Sequence, residues 1–190
     1  MKNIFKYVSC ILCVSAILIL LKPLFFYAKG FILQNKLQYE WNQTIKNKQI
    51  NLYGNFIYPI GKIYINELNL NSIITSGDLE KALEVSIAHI PNTSKPGEKG
   101  NICLAGHRDT FFKKLKYIKI NDIIEVKHLN GTEKYKVQDI KIIQPDETNY
   151  LDESNEKTLT LITCYPFEYL GNAPLRYMVR ASYLVIKKGP

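Results

Sequence analysis

The chain has 190 residues, of which 46% are hydrophobic and 22% charged, a composition that indicates a folded protein and excludes intrinsic disorder. Its net charge is +8, but residues 1–30 hold four lysines and no acidic residue, so the remainder carries 21 basic and 17 acidic residues. Those charges are dispersed rather than gathered into a stripe, which argues against a nucleic-acid-binding protein. The length favours a single domain.

An apolar segment opens the chain. Tyr7–Leu21 carries no charge, and the apolar character resumes after Lys22-Pro23, which together is enough for about one membrane crossing. No clear small-residue cleavage site follows, so an uncleaved anchor is favoured over a secretory signal. We therefore expect a cytoplasmic N-terminus and membrane anchor over 1–29, and a partly helical extracellular tether over 30–55.

The four cysteines do not form a disulfide framework. Cys10 and Cys13 lie inside the apolar segment, where we expect them to pack as small hydrophobic residues despite their C-x-x-C spacing. Only Cys103 and Cys164 remain, which suits an exported protein that makes little use of disulfides and carries one reactive thiol.

Many short β-type segments and few helices follow the tether. Asp78 is placed to cap a short helix, and Asn130-Gly131 predicts a hairpin between two longer strands. The pattern predicts an all-β domain over 56–190, either a closed barrel or a sandwich. The predicted strands are Ile63–Ile65, Leu68–Leu70, Ile73-Ile74, Asn101–Ala105, Asp122–Leu129, Thr132–Ile143, Thr158–Cys164 and Arg176–Ala181.

Three residues that suit acyl-transfer chemistry lie at strand ends. Cys164 ends an apolar strand, His107 follows another strand, and Arg176 begins the last one. A thiolate needs a cationic neighbour to form near neutral pH, and the carbonyl that it attacks needs a donor for its developing negative charge. Because the rim of a barrel brings strand ends together, His107 and Arg176 could supply those two roles to Cys164.

The motifs around these residues match a known family. The chain resembles the sortases, most closely class D, from about Ile63 to its C-terminal end. Three separated motifs in the right order carry the resemblance: Leu104–Phe112 (LAGHRDTFF), Thr158–Phe167 (TLTLITCYPF) and Asn172–Ala181 (NAPLRYMVRA).

The resemblance implies an eight-stranded β-barrel cysteine transpeptidase on the outer face of a Gram-positive membrane. Such an enzyme cleaves an LPxTG-like sorting signal of surface proteins between Thr and Gly and transfers them to an amine of a cell-wall precursor. By motif, His107 is the catalytic histidine, Cys164 the nucleophile and Arg176 the essential arginine. Ala105 and Thr163 would line the groove for the sorting signal.

The acidic loop 144–157 would form one wall of that groove. Its spacing matches no EF-hand, so we expect solvated charge there, with no metal and no cofactor. Arg180 offers a second guanidinium on the same face of the last strand, so it stays an alternative to Arg176.

The other histidines and the second soluble-domain cysteine are given structural roles. We expect His89 to be a hydrogen-bonded structural residue and His128, beside the Asn130-Gly131 turn, to be exposed. Cys103 is expected to be a packing residue. A sharper alternative makes Cys103 an oxidation partner of Cys164, since Cys103 lies two residues before Ala105 and is expected to face the groove with it.

Two other functions remain open. A membrane-tethered thiol peptidase would use the same residues but release its acyl intermediate to water. A catalytically silent protein would keep the barrel only as a binding module.

Overall fold

The computed structural model describes residues 2–48 and 56–185. The chain divides into two compact units, Met1–Lys36 and Leu37–Pro190. The second unit contains every described strand.

One helix, α1 (Lys2–Asn47), begins the chain and extends into the second unit. Within the described part of the chain, no helix combines the length and the apolar character needed to cross a membrane. Many side chains of the predicted anchor, including all of residues 22–29, lie outside the described ones.

The last turns of α1 belong to the barrel unit. Leu37, Trp41 and Thr44 are buried, and their spacing of four and three places them on one face of the helix. Gln38 accepts a 2.8 Å hydrogen bond from Nζ of Lys62, which lies on the first strand. The described part of the predicted tether is therefore helical, and its portion from Leu37 onward contacts the barrel, whereas residues 49–55 lie outside the description.

Eight strands form a closed barrel in the order β1-β2-β3-β4-β7-β8-β6-β5, with β1 also pairing with β5. The pairs β2–β3 and β4–β7 are parallel and the others antiparallel. This confirms the predicted eight-stranded closed β-barrel. The strands are β1 (Ile57–Ile65), β2 (Leu70–Gly77), β3 (Ile87–His89), β4 (Asn101–Ala105), β5 (Ile123–His128), β6 (Gly131–Ile143), β7 (Thr158–Tyr165) and β8 (Leu175–Tyr183).

Local sequence signals account for two of the connections. Helix α2 (Leu79–Val85) begins where Asp78 accepts a 3.2 Å hydrogen bond from the backbone N–H of Lys81, as expected of its cap. Strands β5 and β6 form the predicted hairpin, with His128 paired to Gly131.

The barrel interior is filled by alternate residues of its strands. Leu161 and Val179 are register partners on β7 and β8, and both are fully buried. Phe112 and Leu115 join the same core from the segment after β4, which includes a short 3₁₀ turn, Lys113–Tyr117. Each such side chain contributes about 1.5 to 3 kcal/mol of hydrophobic stabilisation.

A second, smaller apolar cluster lies on the outer face of the barrel. Ile143, Ile162 and Met178 are buried there, and Ala105 and Tyr150 pack against them. Tyr150 belongs to the β6–β7 loop, so this loop covers part of the outer face. Strand β7 therefore has both of its faces buried over most of its length.

A buried ionic network lies at the end of β7 away from Cys164. Lys157 immediately precedes β7, and its ammonium binds Glu133 and donates to the carbonyl of Gly97 at 3.2 Å. The hydroxyl of Tyr135 donates to Glu133 Oε2 at 2.7 Å. Burial favours a raised pKa for Glu133, but the bonds from Lys157 and Tyr135 outweigh it and lower the pKa.

His128 lies beside this network and is buried, so the prediction that it would be exposed is wrong. The physical reason is Gly97, which approaches so closely that an added Cβ would lie 2.6 Å from His128 Nδ1. Burial lowers the pKa of His128, against the opposing effect of the Glu133 charge.

His89 is also buried, and its ring is within hydrogen-bonding distance of neighbouring loop residues, as expected of a structural histidine. Its Nε2 lies 3.1 Å from both Thr93 Oγ1 and the carbonyl oxygen of Ser94. Its Nδ1 has no hydrogen-bond partner among the described residues. Burial lowers the pKa of this histidine too.

Candidate active site

Strand pairing brings Cys164 and Arg176 together. They are direct partners in the antiparallel ladder of β7 and β8. Side chains of such partners project from the same face with Cβ atoms about 5 Å apart. Cys164 is a free, half-buried cysteine, and its ladder partner carries a permanent cation.

The loop that carries His107 is tied to β7 just before the cysteine. The N–H of Gly106 donates to the carbonyl of Ile162 at 3.2 Å, and the Thr163 hydroxyl donates to the carbonyl of Gly106 at 2.7 Å. Ala105 and Ile162 are partners in the parallel pair β4–β7, and His107 and Cys164 each follow two residues later. His107 is therefore held at the level of Cys164 on the neighbouring chain segment.

Phe112 completes the support of this loop from inside the barrel. Its ring packs so closely on Gly106 that an added Cβ would lie 2.8 Å from a ring carbon. The N–H of Phe112 also donates to the carbonyl of His107 at 2.9 Å. A side chain at position 106 would displace either the aromatic ring or the histidine loop.

The guanidinium of Arg176 is only partly engaged. Its Nη1 donates to the carbonyl oxygens of Ala173 at 3.3 Å and Leu175 at 3.0 Å. No other hydrogen bond of this side chain is found within residues 2–48 and 56–185. A guanidinium has five N–H donors, so several stay available for a negatively charged oxygen near Cys164.

The apolar cluster of Ile162, Met178 and Ala105 lies on the outer face of the barrel, one strand step from the Cys164–Arg176 pair. Beside it, a pocket of about 230 Å³ lies under the β6–β7 loop. The pocket is lined by Asp139, Lys141, Ile143, Glu147, Asn149, Tyr150, Met178 and Arg180.

The two predicted groove residues are placed differently. Ala105 is half-buried on the outer face. The side chain of Thr163 is buried, and strand alternation directs it to the face opposite Cys164. Its hydroxyl holds Gly106, so the structure gives Thr163 a supporting contact to the histidine loop in place of a position in the groove.

Arg180 lies farther from the thiol than Arg176. It pairs with Thr160, four residues before Cys164, a separation of about 13 Å along a strand. It lines the pocket under the β6–β7 loop instead. Of the two guanidiniums, only that of Arg176 adjoins Cys164.

The same arithmetic excludes a disulfide between the two soluble-domain cysteines. Cys103 also pairs with Thr160, so its Cα is about 13 Å from that of Cys164, whereas a disulfide tolerates about 7 Å. Cys103 is fully buried, its Sγ lies 3.6 Å from the carbonyl oxygen of Tyr150, and burial raises its pKa to about 12. It is a packing residue, and the oxidation-partner alternative is overturned.

No metal site is evident among the described residues. Among the residues whose placement is described, no group of three or more His, Cys, Asp or Glu side chains could hold a metal ion.

Comparison with known proteins agrees with this geometry. Residues 63–184 match the sortase domain family, which covers more than half of the chain. The chain belongs to the sortase family. It is 35% identical over 120 residues to Sortase D of Bacillus subtilis, a match that covers 63% of this chain and 61% of that relative.

Solved sortase structures superpose on the chain. A Clostridium perfringens Sortase D5 transpeptidase aligns with a TM-score of 0.65 at 26% identity, over 80% of this chain and 96% of that one. Sortase C1 of Streptococcus agalactiae, solved as a complex with MTSET, aligns with a TM-score of 0.62 at 28% identity over 70% of both chains. The match thus includes class D and class C sortases.

Three supporting contacts of this sortase site had no signal in the sequence. The N–H of Gly106 and the hydroxyl of Thr163 tie the histidine loop to β7, and Arg108 binds a loop more than 60 residues later in the chain. The first two contacts depend on the parallel pairing of β4 with β7, and the third joins segments far apart in the chain, so no local pattern reveals them.

Proposed function

We propose that this sortase is a membrane-anchored cysteine transpeptidase that cleaves an LPxTG-like sorting signal between Thr and Gly. The observation that carries the proposal is the shared level of Cys164, Arg176 and His107 on three adjacent segments of the barrel rim. A nucleophile, a fixed cation and a proton donor within one neighbourhood are what acyl transfer from an amide requires.

In the first half-reaction the Cys164 thiolate attacks the threonine carbonyl. The carbonyl oxygen becomes an oxyanion, which the free N–H groups of Arg176 stabilise. His107, as imidazolium, then donates its proton to the leaving glycine nitrogen, the C–N bond breaks, and a thioester to Cys164 remains. The C-terminal fragment leaves with a free amino group.

In the second half-reaction an amine of a cell-wall precursor attacks the thioester. The neutral His107 accepts the proton of that amine, and the thiolate of Cys164 leaves as the new amide forms. The surface protein is thereby joined to the precursor. His107 is exposed, which supports access of an acceptor to this side of the thioester.

The outer face beside the thiol is the proposed groove for an extended peptide. Ala105 lies there, half-buried next to the apolar cluster of Ile162 and Met178 and one strand step from the level of the thiol. The β6–β7 loop, which lines the pocket on the same face, would form one wall of this groove. Ala105 is proposed to contact the signal directly, and Thr163 to act by holding Gly106.

The proposed location is a cell membrane, with a single crossing in residues 1–29 and the catalytic domain on the extracellular face. The uncharged run Tyr7–Leu21 supports this anchor. The surface would be that of a Gram-positive cell, because the substrates are surface proteins and the acceptor belongs to the cell wall.

The test is mass analysis of the purified full chain incubated with a panel of LPxTG-like peptides, with and without candidate amines. We expect a thioester adduct on Cys164, cleavage between Thr and Gly, and an amide product when an amine is present. Cys164→Ala should abolish all three, and Cys103→Ala, which changes a thiol outside the site, should leave them intact.

The same experiment separates the alternatives. Free peptide acid as the only product, whatever amine is added, would indicate a thiol peptidase. Failure of Cys164 to form an adduct with any peptide, together with no reaction toward a thiol-directed probe, would indicate a binding module and contradict the proposal.

A further inference from the structure

We propose that Arg108 is a positioning residue for this reaction: it fixes the β7–β8 loop, residues 166–174, against the loop that carries His107. The inference rests on the proposed function, because the two loops hold the proposed proton donor on one side and connect the nucleophile to the oxyanion donor on the other.

The contacts of Arg108 join these two loops directly. Its Nη2 donates to the carbonyl oxygen of Tyr169 at 2.8 Å and to that of Gly171 at 2.9 Å. The guanidinium carbon also lies 5.8 Å from the centre of the Tyr169 ring. One terminal nitrogen thus binds two carbonyls while the guanidinium lies near an aromatic ring. A lysine side chain ends one atom nearer the backbone, so its ammonium would stop short of both carbonyls.

The position of Arg108 in the chain, directly after His107, links these contacts to the proposed catalytic residues. Arg108 follows His107 directly, so a shift of its guanidinium acts on the backbone that carries the imidazole. The β7–β8 loop begins just after Cys164 and ends just before Arg176. One side chain therefore sets the spacing between His107 and the loop that connects the other two residues.

The Arg108 guanidinium has hydrogen-bond partners in the described residues for only part of its N–H groups. Its Nη1 is buried and has no hydrogen-bond partner among the described residues. No ion pair of Arg108 is found in that part of the chain either. A buried, unpaired donor is unfavourable for folding, which suits a side chain whose role is to position the loop and not to stabilise the fold.

The loop has little else to hold its tip. The side chain of Leu170 is 99% exposed. The ion pair between Lys116 and Glu168, at 2.8 Å, joins the same two regions, but the Glu168 side chain is 85% exposed and such pairs contribute little. This ion pair supplies a matched control, since it bridges the same regions from the surface.

The experiment compares Arg108→Ala, Arg108→Lys and the control Lys116→Met in the full chain. Peptide transfer is measured as kcat and KM, and iodoacetamide alkylation of Cys164 is measured against pH. We expect Arg108→Ala to lower kcat by about 10²-fold, because misplacement of about 1 Å has that effect, with KM changed much less. Arg108→Lys should recover only a small part of the loss.

Amide hydrogen exchange adds a readout that does not depend on turnover. Exchange across residues 168–172 should accelerate in Arg108→Ala and stay as in the wild type in Lys116→Met. If Arg108→Ala does not fold, Arg108→Lys carries the same comparison, since it keeps the charge but ends one atom short of the two carbonyls.

The failures of the two proposals are distinguishable. If the wild type transfers no peptide, the proposed function fails, while exchange and alkylation still report whether Arg108 sets the loop and the thiol environment. Equal exchange, alkylation profiles and kcat in Arg108→Ala and Lys116→Met would overturn the positioning role. A change confined to melting temperature would overturn it as well.

Discussion

The polar groups at the two ends of β7 differ in how fully they are hydrogen-bonded to one another. At one end, Lys157, Glu133 and Tyr135 are bound to one another around a buried carboxylate. At the other end, Cys164 adjoins Arg176, whose guanidinium has bonds only to two nearby carbonyls within the described residues. The first end resembles a fold-stabilising network, and the second leaves its donors ready for another molecule.

We therefore expect the residues at one end of β7 to determine stability and those at the other end to determine reactivity. Substitutions at the paired end should change the free energy of unfolding and leave the chemistry of the folded protein unchanged. Substitutions at the open end should change the chemistry and leave the stability nearly unchanged. The following predictions test that separation.

The largest effect is expected at the open end. Arg176→Ala should lower the acylation rate by roughly 10²- to 10³-fold, because an aimed oxyanion donor is lost. Stopped-flow measurement of thioester formation on Cys164 with an LPxTG-like peptide checks this. The melting temperature should change little, since within the described residues the side chain is bonded only to two nearby carbonyls.

Arg180→Ala is the comparison for Arg176→Ala. Arg180 lines the pocket about 13 Å away, so its loss should change KM more than the acylation rate. An acylation defect larger in Arg180→Ala than in Arg176→Ala would reverse the assignment of the two guanidiniums.

At the paired end, Lys157→Met should destabilise the protein by about 2 to 3 kcal/mol, since Glu133 would lose a charged hydrogen bond while buried. Urea unfolding measures this as a lower midpoint. Lys134→Met is a suitable control, because it breaks a more exposed ion pair with Glu125 and should cost less than about 1 kcal/mol. The alkylation rate of Cys164 below the unfolding transition should match the wild type in both variants.

The paired end should also make stability depend on pH. The pKa of His128 is lowered by burial, so below its ordinary value of 6.5 the unfolded chain takes up the proton first, and the free energy of unfolding falls as the pH falls. His89 acts in the same sense. Each histidine changes this free energy by at most about 1.4 kcal/mol per pH unit.

Glu133 acts in a lower pH range. Its lowered pKa contributes stability that is present above its ordinary value of 4.5 and is lost as the pH falls through the folded-state value. Urea unfolding between pH 8 and 3 should therefore show two phases of loss. His128→Gln should reduce the phase below pH 6.5 and keep the one below pH 4.5, and a wild-type curve that is flat from pH 8 to 5 would contradict the histidine contribution.

The sequence predicted the barrel better than it predicted side-chain surroundings. Alternating and apolar runs such as Thr158–Cys164 depend on neighbouring residues only, so they located the strands and the strand ends. The sortase motifs then indicated which strand ends meet. The level of His107 beside Cys164 depends on the parallel pair β4–β7, whose partners lie 57 residues apart in the chain.

What the sequence could not reveal has the same physical origin. His128 looked exposed because it adjoins a hairpin turn, yet Gly97, more than 30 residues earlier, covers it. The burial of His128 is thus set by a distant segment, whereas the periodicity of a strand is local. Thr163 differs, because strand alternation alone directs its side chain to the face opposite Cys164, so this orientation could have been predicted from the sequence.

The smallest expected effect concerns Cys103, which lies on the same outer face as Cys164 but under the β6–β7 loop. A thiol whose pKa is raised to about 12 is a thiolate in fewer than about one in 10⁴ molecules at pH 7.5. Iodoacetamide followed by peptide mapping should therefore modify Cys164 and spare Cys103 in the folded protein. Both should be modified in urea.

Cys103→Ala completes this comparison. We expect it to keep peptide transfer within about twofold of the wild type and to lower stability by roughly 1 kcal/mol, since it removes one buried sulfur atom. Modification of Cys103 at the rate of Cys164 would mean that the β6–β7 loop opens in solution. In that case the outer face, and not only the rim around Cys164, would be open to reagents, and the groove wall formed by this loop would be a moving element of the site.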